Sequence, residues 1–207
     1  MIEKHLHLIS NGNFSNQHLP ILKEIQHDID FLHIREKEKT AKQLMDSINS
    51  LIGIGFPLSK IIINDRIDVA YMMKCAGVQL AYHSACVSAV KKHFPSMLCG
   101  KSVHSVKEAK RAEEEGADFL LYGHIFASNS KPNQVPRGLI ALNRLIDSVA
   151  IPVYAIGGIT PALARDILKC NASGIAIMSG IWEAAQPLQA VKAYRKVLKE
   201  ARRDRYE

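Results

Sequence analysis

Aromatic side chains are few in this chain of 207 residues: one Trp, six Tyr and six Phe. No basic run alternates with them, which argues against a nucleic-acid surface. Cysteine is scarce and scattered, with Cys75, Cys86, Cys99 and Cys170 forming no C-x-x-C pair. That pattern reads as reduced thiols in a cytoplasmic protein. No apolar run approaches the roughly 18 residues needed to cross a bilayer, so no membrane association is expected. The first residues are polar and His-containing, where a secretory leader would place a charged head and an apolar core. Linkers, low-complexity tracts and repeats are also missing. Acid is short relative to base, 20 Asp and Glu against 27 Lys and Arg, for a net charge of +7. That excess suits an anionic ligand or a basic patch and selects neither.

What is present is a rhythm of strand then helix. Candidate strands are His5–Ser10, Phe31–Glu36, Lys60–Asn64, Gly77–Ala81, Leu98–His104, Phe119–Phe126, Val153–Gly157 and Ile175–Ser179. Several helices carry legible starts. Thr40 with Gln43 and Ser105 with Glu108 fit capping boxes, and Thr160 precedes a proline at the first helical turn. Ser84 reads as an N-cap for a helix Ala85–His93, and Gly116 as the stop of the fifth helix. Eight βα units in one chain predict a single-domain (β/α)8 barrel over residues 1–207. The one long connection, Ala127–Arg137, is a candidate lid, and the charged tail from Ala201 is expected to fray.

In such a barrel the C-terminal ends of the strands form the active face. The last two strands end in small-residue turns, Gly157-Gly158 and Met178-Ser179-Gly180. Glycine there admits backbone N–H groups to an oxygen-rich ligand, so Gly157, Gly158 and Ser179 are candidates for a phosphate cup. A short helix, Gly180–Glu183, would aim its start at the anion. Strand alternation places His33 and Arg35 toward the barrel interior, with Leu32 and Ile34 toward the helices. Arg35 either pairs with Asp65 or Glu36 or meets a ligand anion. Leu120, Tyr122 and His124 share a face, with His124 outermost, beside the long loop and suited to proton transfer. His104 reads as a helix-entry packing residue and Asp65 as a cap. His5-Leu6-His7, with His104 and His124, is similar to the ligand set of metal-dependent amidohydrolases. The strand-eight aspartate of that family is missing, so plain alternation is preferred and no metal is expected.

Leu32–Lys37, Ile63–Ala70, Gly77–Leu80, Gly116–Asp118, Gly123–Phe126 and Ala155–Ile159 resemble, in order, the thiamin phosphate synthase superfamily. The resemblance implies a (β/α)8 barrel with a thiazole or pyrimidine phosphate ligand. Synthases hold magnesium pyrophosphate with two aspartates. Asp65 matches one, while the second falls at or near Ser84, where there is no acid. Synthases usually have proline where this chain has His124. Gly100–Ser105 and Met178–Ile181 resemble the thiazole tautomerase (TenI-type) branch. That branch implies a cofactor-independent isomerase of thiamin biosynthesis, acting on a carboxylated dihydrothiazole ethyl phosphate. The resemblance then implies His124 as acid/base, with the phosphate held by Gly157, Gly158, Met178 and Ser179. Arg35, Asn64 and Lys131 would bind the rest of the substrate. The alternatives kept open are a thiamin phosphate synthase-like transferase and a non-catalytic metabolite-sensing regulator. The expected partner is a phosphorylated thiazole small molecule, and a homo-oligomer stays open.

Overall fold

The computed structural model describes residues 4–128 and 130–201. Asn129, inside the expected lid, and the expected tail beyond Ala201 lie outside the described residues. Eight parallel strands close into a ring in sequence order: β1 (His5–Ile9), β2 (Phe31–Ile34), β3 (Ile61–Asn64), β4 (Gly77–Leu80), β5 (Leu98–Val103), β6 (Phe119–Gly123), β7 (Val153–Ile156) and β8 (Gly174–Ile177). β1 closes on β8 through the register His5↔Gly174 and Leu8↔Ile177. The (β/α)8 barrel expected from the strand–helix rhythm is therefore the fold.

Helices follow the strands. They are α1 (Leu19–Ile25), α2 (Ala41–Gly53), α3 (Ile67–Met72), α4 (Val87–His93), α5 (Val106–Glu114), α6 (Gly138–Ile146), α7 (Pro161–Lys169), a short α8 (Ser179–Trp182) and a closing α9 (Pro187–Glu200). Thr40 caps α2 through the N–H of Gln43, and Ser105 and Thr160 cap α5 and α7 in the same way. The expected cap at Ser84 is corrected. α4 starts later, behind Cys86, and the Ser84 hydroxyl instead accepts the N–H of Ala81 at 2.8 Å.

Strand alternation divides the core into two layers. Leu6, Leu8, Leu32, Ile34, Ile61, Ile63 and Val78 face the helices. Ile9, Ile62, Phe119, Leu121, Tyr154 and Ala176 fill the ring. Leu120 and Tyr122 belong to the helix-side layer. Leu120 and Tyr122 do share a face, the one toward the helices, while His124 lies beyond the end of β6 at Gly123.

Helix α9 is fastened to the barrel by charge. Arg195 donates from Nη2 to Asp30 Oδ2 and from Nε to the Asp28 carbonyl, both at 2.8 Å. Asp30 Oδ2 also accepts the Leu6 N–H at the start of β1. Removing one partner of a largely buried pair strands the other, so Asp30→Ala should lower unfolding free energy by about 2–3 kcal/mol. Urea denaturation of the two proteins checks this.

Candidate active site

At the C-terminal mouth, the end of β2 contributes two residues with different fates. Glu36 is buried, and its carboxylate accepts from the Ser10 hydroxyl and from the N–H groups of Gly12 and Phe14. It braces the loop after β1, which takes most of its acceptor capacity. Arg35 is half-buried, and its N–H reaches Ser10 Oγ at 2.8 Å. Among the described residues its guanidinium makes no ion pair, so neither pairing considered from the sequence, with Asp65 or with Glu36, is formed. An uncompensated guanidinium at a mouth is a standing site for an anion.

The end of β3 supplies Asn64 and Asp65. Asp65 has φ +66°, a left-handed conformation that a non-glycine residue rarely adopts, and its N–H bonds to the Gln79 carbonyl at 2.9 Å. The ring nitrogen Nε2 of His83 lies 3.7 Å from its Oδ2. Arg66 next door is spent on Asp68, which it grips through Nε at 2.9 Å and through Nη2. The cap of α3 is Arg66, so the sequence reading of Asp65 as a cap does not hold. A cavity of about 210 Å³ opens here, lined by Lys37, Lys39, Asn64, Asp65, Arg66 and His83, with Glu36 and Leu44. A second cavity, about 340 Å³, lies between Asp28 and α9, beyond the opposite ends of the strands.

Across the ring, β7 and β8 end in the expected turns. Gly157 and Gly158 both have positive φ, +99° and +66°. A Cβ on Gly157 would stand 2.3 Å from His124 Cβ, and one on Gly158 2.3 Å from the Ala127 carbonyl. Only glycine fits either place. Met178 and Ser179 are half-buried at the junction of β8 and α8. Tyr194 of α9 donates to the Ile159 carbonyl at 2.8 Å and packs where Gly180 has no side chain, fixing both turns from behind.

His124 sits between this cup and the long loop. Its ring is buried, and Nε2 lies 3.1 Å from the carbonyl of Gln134. The Gly123–His124 peptide is cis. Arg137 closes the loop, with its N–H on the His124 carbonyl and its Nε on the Gly123 carbonyl, both at 3.0 Å. The ring of His104 reaches the same Gly123 carbonyl at 3.2 Å, so His104 does more than pack at the helix entry. Lys131 is half-buried on a turn of the loop, where its N–H bonds to Ser128, and it does not line the mouth cavity. Of the residues expected to bind substrate, Asn64 lines the cavity and Arg35 adjoins it, while the four cup residues stand on the far side. Lys37 and His83 line the cavity without having been singled out as site residues. Their signal was position alone, one in the run after β2 and the other in the turn after β4.

Below the mouth lies an unusual stack. His7 Nδ1 and His33 Nε2 are 2.8 Å apart, both rings are fully buried, and the Tyr154 ring lies 4.1 Å from that of His7. Burial pushes His33 down from near 6.5 to about 3. It also holds His7 well below its ordinary value, helped by the neighbouring charges of His33 and His5. His7 Nε2, His33 Nδ1 and Gln79 Oε1 have no hydrogen-bond partner among the described residues.

The described residues contain no group of three or more His, Cys, Asp or Glu side chains suited to a metal. The resemblance nevertheless implies magnesium pyrophosphate, and the mouth can be tested for it. Glu36 is largely engaged by the loop after β1, Ser84 bonds to Ala81, and among the described residues lining the cavity Asp65 is the carboxylate that accepts no hydrogen bond. One carboxylate together with phosphate oxygens and waters is a sufficient set for a hard dication.

The chain matches the family described as thiamine monophosphate synthase over residues 6–181. It is 36% identical over 174 residues to the thiamine-phosphate synthase of Caldivirga maquilingensis, covering 84% of this chain and 85% of that one. It is 35% identical over 162 residues to the thiamine-phosphate synthase of Pyrococcus furiosus, covering 78% and 74%. The solved thiamine phosphate pyrophosphorylase from Pyrococcus furiosus superposes with a TM-score of 0.82 at 27% identity, covering 95% and 96% of the two chains. These relatives are named as synthases, which are transferases, and so they overturn the isomerase and thiazole tautomerase reading taken from Ser84, His124 and the TenI-like segments. On this evidence the chain belongs to the thiamine monophosphate synthase family.

Proposed function

We propose that the protein is a thiamine-phosphate synthase-type transferase, joining a phosphorylated thiazole to a pyrimidine diphosphate with release of diphosphate. The observation that carries this reading is the pair of anion stations on opposite sides of one barrel mouth. β3 and β7 are four strands apart in the closed ring of eight, so the Arg35–Asn64–Asp65 cluster stands across from the Gly157–Gly158 turn. The cup of Gly157, Gly158, Met178 and Ser179 takes the thiazole's phosphate. Arg35 and Lys37 take the diphosphate, with Asn64 beside them.

The chemistry then divides between the two stations. The bond from the pyrimidine methylene carbon to the diphosphate oxygen breaks, and the leaving oxygen departs with the electron pair. The thiazole nitrogen supplies a lone pair to that carbon, and a cationic ring results. No proton has to leave the attacking nitrogen, so no general base is demanded. Asp65 would hold a divalent cation against the diphosphate; when bound there, the cation neutralises leaving-group charge. Arg35 meets the charge that develops on the same group as the bond breaks. His124, gripping the carbonyl of Gln134, keeps the 127–137 loop seated over the thiazole side and water away from the reacting carbon.

The test supplies both substrates with magnesium and measures thiamine phosphate by chromatography alongside released diphosphate. The native protein should turn over, and Arg35→Ala should lower kcat/KM by about 10²-fold, the usual cost of removing one preorganised donor. Failure of the native protein to release diphosphate when both substrates are present sinks the proposal.

A further inference from the structure

We infer that Arg137 is a positioning residue for the Gly157–Gly158 cup. It holds the 123–126 segment as the wall against which that turn is shaped. It thereby sets affinity for a phosphate monoester through the chain, without contact with the anion. This rests on the reading of the cup as the phosphate station of the transferase, and adds what fixes it.

The cup is built mainly of backbone. Gly157 and Gly158 offer an anion only N–H groups, and such donors are aimed no better than the chain that carries them. The stretch after β6 lies directly against them. The Ile125 N–H donates to the Ile156 carbonyl at 3.0 Å, and the Phe126 N–H to the Gly157 carbonyl at 3.1 Å. Behind Gly158 the Phe126 and Ala127 carbonyls would stand 2.6 Å and 2.3 Å from an added Cβ. A displacement of the 123–126 segment therefore displaces the turn.

The same segment is held by residues 137 and 138. The Arg137 N–H donates to the His124 carbonyl at 3.0 Å, and the Gly138 N–H to the Ile125 carbonyl at 3.1 Å. The Arg137 side chain adds Nε on the Gly123 carbonyl at 3.0 Å. Its guanidinium carbon lies 5.8 Å from the centroid of the buried Tyr122 ring. Among the described residues Arg137 forms no ion pair. Its charge is directed at one carbonyl and one ring face, and a charge-assisted bond of this kind is about twice as strong as a neutral one. Substitution removes this part of the brace and leaves the backbone bonds able to form.

The full chain is titrated by calorimetry with the phosphorylated thiazole and, separately, with inorganic diphosphate and magnesium. Arg137→Ala should weaken thiazole phosphate binding about tenfold, the effect of one charged hydrogen bond. Diphosphate binding, on the far side of the mouth, should stay within about twofold. The amides of Ile125 and Phe126 should exchange hydrogen faster in this variant. Arg137→Gln keeps a side-chain N–H for the Gly123 carbonyl without the charge, and should recover most of the affinity. Unchanged thiazole phosphate binding in Arg137→Ala overturns the inference, as does equal weakening toward both ligands, which would mean general loosening. Glutamine as weak as alanine, with exchange at 125 and 126 unaltered, also overturns it and assigns Arg137 to direct contact with the anion. A native protein that does not bind the thiazole phosphate removes the cup reading, and this inference with it. Arg137-dependent binding in a protein that makes no thiamine phosphate keeps the inference and removes the transferase reading instead.

Discussion

Acidification from pH 7.5 to pH 5 should destabilise the barrel by about 2 kcal/mol through His33, with His7 adding in the same direction. Both rings are fully buried in the ring interior and remain neutral in the fold, His33 titrating only near pH 3. In the unfolded chain each takes a proton near pH 6.5. Between those values the unfolded state binds more protons than the native one, so stability is complete above about pH 6.5 and falls as the pH drops. At pH 5 the deficit for His33 is about 1.5 pH units, or about 2 kcal/mol. The groups facing the pair are His5, Tyr154, Phe31 and Phe119, none of them a carboxylate that could compensate an imidazolium. For a chain of this size the His33 part corresponds to a fall in Tm of about 4–8 °C. Calorimetry across this pH range measures it. His33→Gln should remove the His33 part of the profile and so flatten it. A Tm independent of pH down to 5 would mean that the stack is hydrated or paired.

The barrel was legible because its strands are buried on both faces and its helices are capped by short-range chemistry. Thr40 and Gln43 need only three residues of context, and they form the box that their spacing predicts. Strand ends were harder to place. Phe119–Phe126 reads as one apolar run, yet β6 stops at Gly123, and Arg137 takes over the carbonyls of Gly123 and His124. Those bonds span more than ten residues and leave no local signature. Glu36 shows the same limit. Its place after β2 marks it as a mouth residue, but only the fold reveals that three donors from the preceding loop consume its carboxylate. The choice of reaction was less legible still. It rests on a missing acid near Ser84, an imidazole at 124 and two short segments, Gly100–Ser105 and Met178–Ile181, while similarity along the chain points to the transferases.

Replacing Asp65 by Asn should lower transferase kcat/KM by at least about 10²-fold while leaving Tm within about 2 °C of the native value. Two features make this substitution selective. Asparagine tolerates the left-handed backbone at φ +66° nearly as well as aspartate, so the turn into α3 survives. The amide also keeps the size of the carboxylate and one of its acceptors, so only the charge is lost. Asp65→Ala adds a backbone penalty of about 1–2 kcal/mol and confounds the two effects. The loss of charge has a direction that a structural defect would not share. Asp65 is the carboxylate in the mouth cavity with oxygens to spare, because Glu36 is committed and Asp68 holds Arg66. Without it the cavity becomes more positive around Arg35, Lys37 and Lys39. Diphosphate alone should then bind the variant more tightly than the native protein, while its cation-assisted binding weakens and the magnesium needed for half-maximal rate rises. Calorimetry with inorganic diphosphate, with and without magnesium, separates the two. Weakening under both conditions would assign Asp65 to the architecture of the turn, and strengthening without the cation assigns it to the electrostatics of the reaction.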